Sequence, residues 1–448
     1  MLIDVYPVIL PESSSLQRNL RKNFRTTDGE PLNKKDLSEY DRKVIFYDVF
    51  FDPSNQFIYA LGPPLLNLWE GLSPISVYIN QKKVEFELVE TVGRSTTFLC
   101  GKLNADHQVR KKNEILIDLG GIFQYELIIP KNEYQNESRL TLMTLQKNNE
   151  IRWIKDWISY YRAAHGVEIV VLYDNNSTYQ ESLDQKIDSQ SNSTLIVRWN
   201  FLYGPTESTV NHFCQLAALN HCRLKFGNNN YCLNFDIDEM LVLNNKEKRI
   251  DDFLKDYDVA YFSSFKVPYI QPEHNDYSYR DFPKRNRYSL KLNRRKKGQK
   301  SNLHKYVYKF SAVWMAKVHQ VQFFREIPLR EWLAVKILDV IERIQIQYTK
   351  LFKLEGKLQS FFDSIFENLV IYIGKSMLNS YFVPIEEGFF LDYVGITTNW
   401  KSSYWNRLEV KHSEGSSYEL TEDFSVIRIF DSIDRAAIPQ IKASETLE

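Results

Sequence analysis

The chain has 448 residues, with 57 Lys and Arg balanced by 57 Asp and Glu. This exceeds the roughly 150 residues of one domain and predicts two or three of them, while the neutral sum excludes a uniformly basic nucleic-acid binder and leaves room for a local basic patch. Hydrophobic residues at 43% and charged residues at 25% exclude a disordered chain, and the aromatic share of 14% suits a large core and a stacking platform for sugars or bases equally.

Cys100, Cys214, Cys222 and Cys232 are too few for a disulfide scaffold and lack a C-x2-C knuckle, so they read as core thiols in a reducing compartment. The opening MLIDVYPVILPESSS has no basic region ahead of its short apolar run. No stretch reaches the roughly 18 apolar residues of a membrane span. The expectation is a soluble chain that at most touches a membrane surface.

Residues 1–35 carry Ser, Pro, Asn and charges without a period and read as an irregular leader. Residues 36–132 hold VIFYDVFF, PISVYI, VEFELVE, TTFLC, EILIDL and YELIIP, separated by turn residues, which predicts an antiparallel β-sandwich. From 133 the pattern alternates. RLTLMTL predicts a strand, 150–164 a helix ended by Gly166, EIVVLYD and TLIVRWNF strands, 209–226 a helix closed by Gly227, and YCLNFDID a strand. This predicts an α/β domain over 133–326 with a largely parallel sheet, its strand ends and loops at 146–149, 174–178, 202–208 and 236–239 sharing one rim. Residues 327–448 predict a helical extension and a C-terminal segment completing that domain; apolar spacing over 328–377 gives long helices with a break at Gly356.

The acidic run Asp236-Ile237-Asp238-Glu239 follows an apolar strand. In extended backbone Asp236 and Asp238 share a face and can reach one hard cation, Mg2+ or Mn2+, while Ile237 turns inward; a solvated turn is the competing reading. In LYDNNST, Asp174, Asn175 and Ser177 are placed to meet a base or ribose, or else to form an Asx turn. Between Lys284 and Arg325 there is no Asp or Glu, and Lys305 and Lys309 are the better phosphate candidates of that basic stretch. Trp199, Tyr203, Tyr269 and Trp400 are stacking candidates whose alternative is core packing.

The run TLQKNNEIRWIKDWISYYRAAHGVEIVVLYDNNST resembles the opening of GT-A nucleotide-sugar glycosyltransferases of the family 92 type and their bacterial relatives. RWNFLYGP, then Gln215, Asn220, His221 and Cys222, then YCLNFDIDEMLVL are similar to that family's middle section, and HKYVYKFSAVWMAKVHQV to its later segment. The likeness runs over about 139–320, with GITTNWK at 395–401 as a weaker match.

The resemblance implies a GT-A-like, Rossmann-like catalytic domain that moves a sugar, with inversion, from a nucleoside diphosphate donor, a UDP-sugar by preference, to a hydroxyl of a glycan or glycolipid. Asn149, Glu150, Asp174, Asn175 and Ser177 would line the nucleotide pocket, and Lys305 of the basic stretch is the candidate for its phosphates. Asp236 and Asp238 would hold Mn2+ or Mg2+, with His319 as a metal or diphosphate ligand whose alternative is a strand-end or core role. The chain departs from the family at FFLDYVGITTNWK, where Asp392 stands in the place of a histidine, as metal ligand, as base, or as a sign of drift. Candidates for the base an inverting reaction needs are Asp392 and Glu273, then Glu239 and Asp276. The expected setting is surface polysaccharide synthesis in the cytoplasm, at the inner face of a membrane. The rival readings are a non-catalytic carbohydrate-binding or assembly protein with a degenerate transferase domain and, less in keeping with the family order, a nucleotidyl or phosphoryl transferase.

Overall fold

The structure, a computed structural model, describes residues 1–20, 37–90, 96–134, 140–187, 193–204, 213–227, 230–245, 249–268, 276–286, 304–316, 321–323, 380–393, 396 and 420–444. The predicted helices over 328–377 and the RRKK cluster lie outside the described residues.

A ten-stranded sheet organises the chain from Leu140 onward. Its order is Leu2–Ile3, Thr194–Arg198, Ile169–Asp174, Leu140–Gln146, Tyr231–Asn234, His304–Lys309, Val259–Val267, Gly388–Tyr393 and Glu239–Leu243, with Ser380–Phe382 also paired to Val259–Val267. The first five strands are parallel, as expected from the alternation of strands and helices. The other half differs from the expected largely parallel sheet. His304–Lys309 runs antiparallel to both its neighbours, and Glu239–Leu243 pairs antiparallel with Gly388–Tyr393. The physical reason is that Glu239–Leu243 does not continue beside the strand before it. It sits at the far edge and pairs with a strand about 150 positions downstream, which local periodicity cannot encode.

Ile151–His165 covers one face through Trp153, Ile154, Trp157, Ile158 and Tyr161, all buried. It ends where Gly166 adopts φ 66°, so that the Gly166 N–H reaches the Arg162 carbonyl at 3.1 Å and the Val167 N–H reaches that of Tyr161 at 3.3 Å. The terminal helix Ser425–Ser444 packs on this one, with Phe430 against Tyr160. On the other face, Phe213–Phe226 is buried on nearly all sides, because the N-terminal part covers what would be its solvent face.

That N-terminal part contains two four-stranded antiparallel sheets. One is Asp48–Phe51, Phe57–Gly62, Thr97–Lys102 and Phe86–Glu90; the other is Phe123–Pro130, Lys112–Leu119, Ile75–Ile79 and Lys82–Val84. Val49, Ile58 and Leu99 of the first share a core with Val77, Ile115 and Ile117 of the second. The residues expected as an irregular leader contribute two short pairings. Leu2–Ile3 extends the large sheet beside Thr194–Arg198, and Val8–Ile9 pairs with Val44–Phe46. Their apolar side chains have cores to enter, which outweighs the lack of a repeating pattern.

The two parts are joined by a shared core and a buried polar chain. Tyr47, Phe50 and Phe98 pack with Trp199, Cys214 and Phe226. The Asp48 carboxylate accepts hydrogen bonds from His221 Nε2 at 2.7 Å, Lys225 Nζ at 2.8 Å and the Tyr6 N–H at 2.7 Å. With Nε2 donating, neutral His221 takes the Tyr173 hydroxyl on Nδ1 at 2.7 Å. Burial favours the neutral form of Asp48, but Lys225 and His221 outweigh it and hold the carboxyl below its usual range.

Burial also depresses His221 and His165 to about 4. An unfolded histidine titrates near 6.5, so between these values the unfolded chain binds protons the folded chain refuses, and stability falls as pH drops. Urea denaturation from pH 7.5 to 4.5 is expected to show a loss that tends toward about 3 kcal/mol per histidine at the acid end. The His165→Gln variant is expected to lose about half of that pH dependence; an unchanged slope would show that His165 does not contribute.

Candidate active site

The acidic run forms where the apolar strand Tyr231–Asn234 ends at the sheet rim. The Glu239 N–H donates to the Asp236 carbonyl at 3.0 Å and the Glu239 carboxylate accepts from the Asp236 N–H at 2.7 Å, which closes a tight turn. Ile237 is 4% exposed and packs into the core. Asp236 and Asp238 are each partly exposed, in keeping with the alternation expected of this run.

Two distant segments complete the cluster. Gly388–Tyr393 brings Asp392 opposite Glu239, and the Tyr393 N–H donates to the Asp238 carbonyl at 2.7 Å. Lys266, in register with Asp392 on the other side, places Nζ 3.5 Å from its carboxylate. The antiparallel strand His304–Lys309 sets Lys305 Nζ 2.8 Å from Asp236 Oδ2 and 3.0 Å from Glu239 Oε2.

The electrostatics follow from this crowding. Burial, then Asp392, Glu239 and Asp236, push the Asp238 carboxyl well above the carboxylate range, with Lys305 opposing. Glu239 is pushed up to about 8, first by burial and then by Asp236, while Lys305 pulls it back. Burial acts to deprotonate Lys305, yet Asp236 and Glu239 hold it above the usual amine range. Lys305 and Lys266 thus offset part of the negative charge that Asp236, Asp238, Glu239 and Asp392 bring together.

Among the described residues, no three Asp, Glu, His or Cys side chains form a ready-made metal cage. Asp236 and Asp238, both partly exposed at the rim, are the side chains that could reach one hard cation, which is held by oxygen ligands.

Along the same rim, Asp174 ends its strand in register with Gln146. Gln146 Nε2 donates to Asp174 Oδ1 at 2.6 Å, and the Ser177 hydroxyl donates to the same oxygen. The Asn148 N–H donates to Ser177 Oγ at 2.8 Å, and Asn148 Oδ1 accepts from the Thr178 N–H at 2.7 Å. Asn148 and Asn176 adopt φ of 54° and 59°, left-handed values that asparagine tolerates. The Tyr179 hydroxyl donates to the Asn149 carbonyl at 2.6 Å and ties the two loops. Burial raises the Asp174 carboxyl, and Ser177 opposes this.

Beside this turn lies a cavity of about 170 Å3 lined by Asp174, Asn176, Ser177, Tyr179, Arg198 and Asn200, among others. Ligand pockets typically run from about 300 to 1,000 Å3, so this cavity is small by comparison.

The other expected residues are placed as follows. Asn149 is 8% exposed, near Gln146, and Glu150 is exposed at the start of Ile151–His165. Asn175 does not line the cavity. It is 2% exposed and donates its side-chain amide to the Trp199 and Phe201 carbonyls at 2.8 and 2.9 Å, so it braces the turn from inside. Lys305 is 1% exposed and faces carboxylates instead of the nucleotide rim. Asp276 pairs with Arg152 at the surface. Trp199 is a core residue at 0% exposure, and Tyr203 donates to Gln215. His319, Glu273, Tyr269 and Trp400 lie outside the described residues. The four cysteines are free, three of them buried, as core thiols are.

Residues 142–354 match the family model of glycosyltransferase family 92. The matched span includes Asp174, Asp236, Asp238, Glu239, Lys266 and Lys305, whereas Asp392 lies beyond it. The search of curated proteins returned no match. Among solved structures, the chain is similar to the crystal structure of S. aureus TarS 1–349 at 15% identity and a TM-score of 0.24, covering 39% of this chain and 48% of that one. The chain thus spans about half the length of that structure.

Sequence reasoning missed two residues that contact candidate site carboxylates, Gln146 and Lys266. Gln146 carried a usable signal, a polar residue ending an apolar strand at the rim. Lys266 carried none, because its place beside Asp392 depends on pairing across 126 positions.

Asp238 sits among like charges, so an isosteric neutral amide is expected to stabilise the fold. In chelator-containing buffer, Asp238→Asn should raise the unfolding free energy by roughly 0.5–2 kcal/mol, as replacements that relieve functional strain do. Urea denaturation measures this, and a destabilised variant would refute the crowding argument.

Proposed function

We propose that this protein is a metal-dependent glycosyltransferase with a GT-A-type domain, moving a sugar from a nucleoside diphosphate donor to a hydroxyl of a glycan or glycolipid with inversion. The carrying observation is that the Asp174–Ser177 turn and the pair Asp236 and Asp238 occupy one rim, within the span that matches family 92. The strands leading to Asp174 and Asp236 are two strand spacings apart, about 10 Å, a span that a nucleoside diphosphate bridges.

In this reading Asp174 and Ser177 hold the base or ribose, with Asn149 and Glu150 at the adjacent helix start. Asp236 and Asp238 would hold Mn2+ or Mg2+, with His319 as a further candidate ligand. When bound, the ion offsets charge developing on the diphosphate leaving group. Asp392, with a side chain 21% exposed and Lys266 beside it, is the proposed base. It takes the proton of the acceptor hydroxyl as that oxygen bonds the anomeric carbon, while the bond to the diphosphate breaks and its electron pair leaves with the nucleotide.

The two N-terminal sheets are proposed to form an accessory β-sandwich. Work in surface polysaccharide synthesis at the inner face of a membrane is part of the same proposal; free cysteines accord with a reducing compartment. No described helix is long and apolar enough to cross a membrane.

Thermal shift with a panel of nucleoside diphosphates, with and without Mn2+, tests the reading. One nucleotide is expected to stabilise the protein only with metal, by about 2.7 kcal/mol at a hundredfold excess over Kd. That stabilisation should vanish in the Asp236→Ala, Asp238→Ala double variant. Nucleotide binding that is absent or indifferent to metal sinks the proposal, and glycan binding retained under those conditions would favour a non-catalytic carbohydrate binder.

A further inference from the structure

The place of Lys305 is not that of a diphosphate ligand. Its residue is 1% exposed, and its ammonium sits 2.8 Å from Asp236 Oδ2 and 3.0 Å from Glu239 Oε2. Both contacts are charge-assisted, so an incoming phosphate would have to break two strong hydrogen bonds and open a closed space to reach it. The backbone there is also held on both sides: Leu233 pairs with Val307 on one flank, and Phe262 pairs with Lys305 on the other.

The two carboxylates it holds differ. The Glu239 side chain is 10% exposed and also accepts the Asp236 N–H at 2.7 Å, so it belongs to the inside of the turn. The Asp236 side chain is 37% exposed, so it faces the rim while one of its oxygens is fixed from behind. Lys305 therefore links an inner, structural carboxylate to an outer, functional one.

We propose that Lys305 is a positioning residue, a resident cation that fixes the Asp236 carboxylate for a divalent ion and does not touch the donor. The inference rests on the metal-dependent reading above. Groups that orient a ligand from behind commonly change metal affinity by about 10- to 100-fold when removed. A lysine also differs here from a neutral donor, because it cancels one of the charges that would otherwise drive Asp236 and Glu239 apart.

The competing view is that Lys305 merely neutralises Glu239, and one variant separates the two. Lys305→Met with Glu239→Gln removes the ammonium and its inner partner together, leaving no orphaned charge between them. Mn2+ binding is measured on the full-length protein without donor, by electron paramagnetic resonance of the free ion, alongside the unfolding temperature. The expected result is near-wild-type unfolding with Mn2+ affinity weaker by about 10- to 100-fold. Affinity equal to wild type overturns the proposal. Should that variant not fold, Lys305→Arg serves: it keeps the charge but cannot seat a compact ammonium between both carboxylates. Weakened Mn2+ binding with wild-type unfolding supports the proposal, and unchanged binding overturns it. If wild type itself binds neither Mn2+ nor Mg2+, the metal-dependent reading fails first and the role of Lys305 falls with it; wild-type binding with an indifferent variant sinks the role of Lys305 alone.

Discussion

Repulsion between carboxylates gathered at one end of a mixed sheet is the constraint on which the site depends. Two like charges about 4 Å apart cost roughly 4 kcal/mol at a protein-like effective dielectric of about 20. Asp236, Asp238, Glu239 and Asp392 meet this cost together, and Lys305 and Lys266 offset part of it as ammonium partners of the group. Each lysine arrives on its own strand, so the sheet register is also the charge register. A one-residue slip of His304–Lys309 would turn Lys305 to the opposite face and leave the carboxylates without it.

This explains why the sheet is mixed. The parallel half, from Thr194–Arg198 to Tyr231–Asn234, lines up strand ends and builds the turn at Asp174. Parallel continuation alone would not bring Asp392 opposite Glu239. The antiparallel pairing of Glu239–Leu243 with Gly388–Tyr393 does so, and the Tyr393 N–H pins the backbone of Asp238 in the process. The family 92 span supplies one side of the cluster, and the segment beyond it supplies the other.

Much of the parallel half was legible because each element there is encoded locally. Ile151–His165 shows its apolar stripe and its closing glycine, and the alternation in Asp236-Ile237-Asp238 announces which side chains face out. The antiparallel half was not, since its partners are chosen by contacts far apart in the chain. Residue type also misleads at the rim. Asn175 and Trp199 have the chemistry of ligand contacts, yet a buried turn needed an amide to satisfy two carbonyls and the core needed a large ring. Lys305 was recognised as a cation near the site, but its partners depend on register, which no local pattern contains.

The Asp48 contact bears on how such a chain can change over time. A buried carboxylate from the N-terminal sheets is what His221 and Lys225, on a helix of the larger sheet, both hold. Exchanging the first 132 residues for another β-rich module would therefore strand an imidazole and an ammonium unless the newcomer brought an acid to the same spot. The N-terminal sheets and the helix Phe213–Phe226 are thus coupled by one buried charge, so a change at Asp48 is felt at His221 and Lys225.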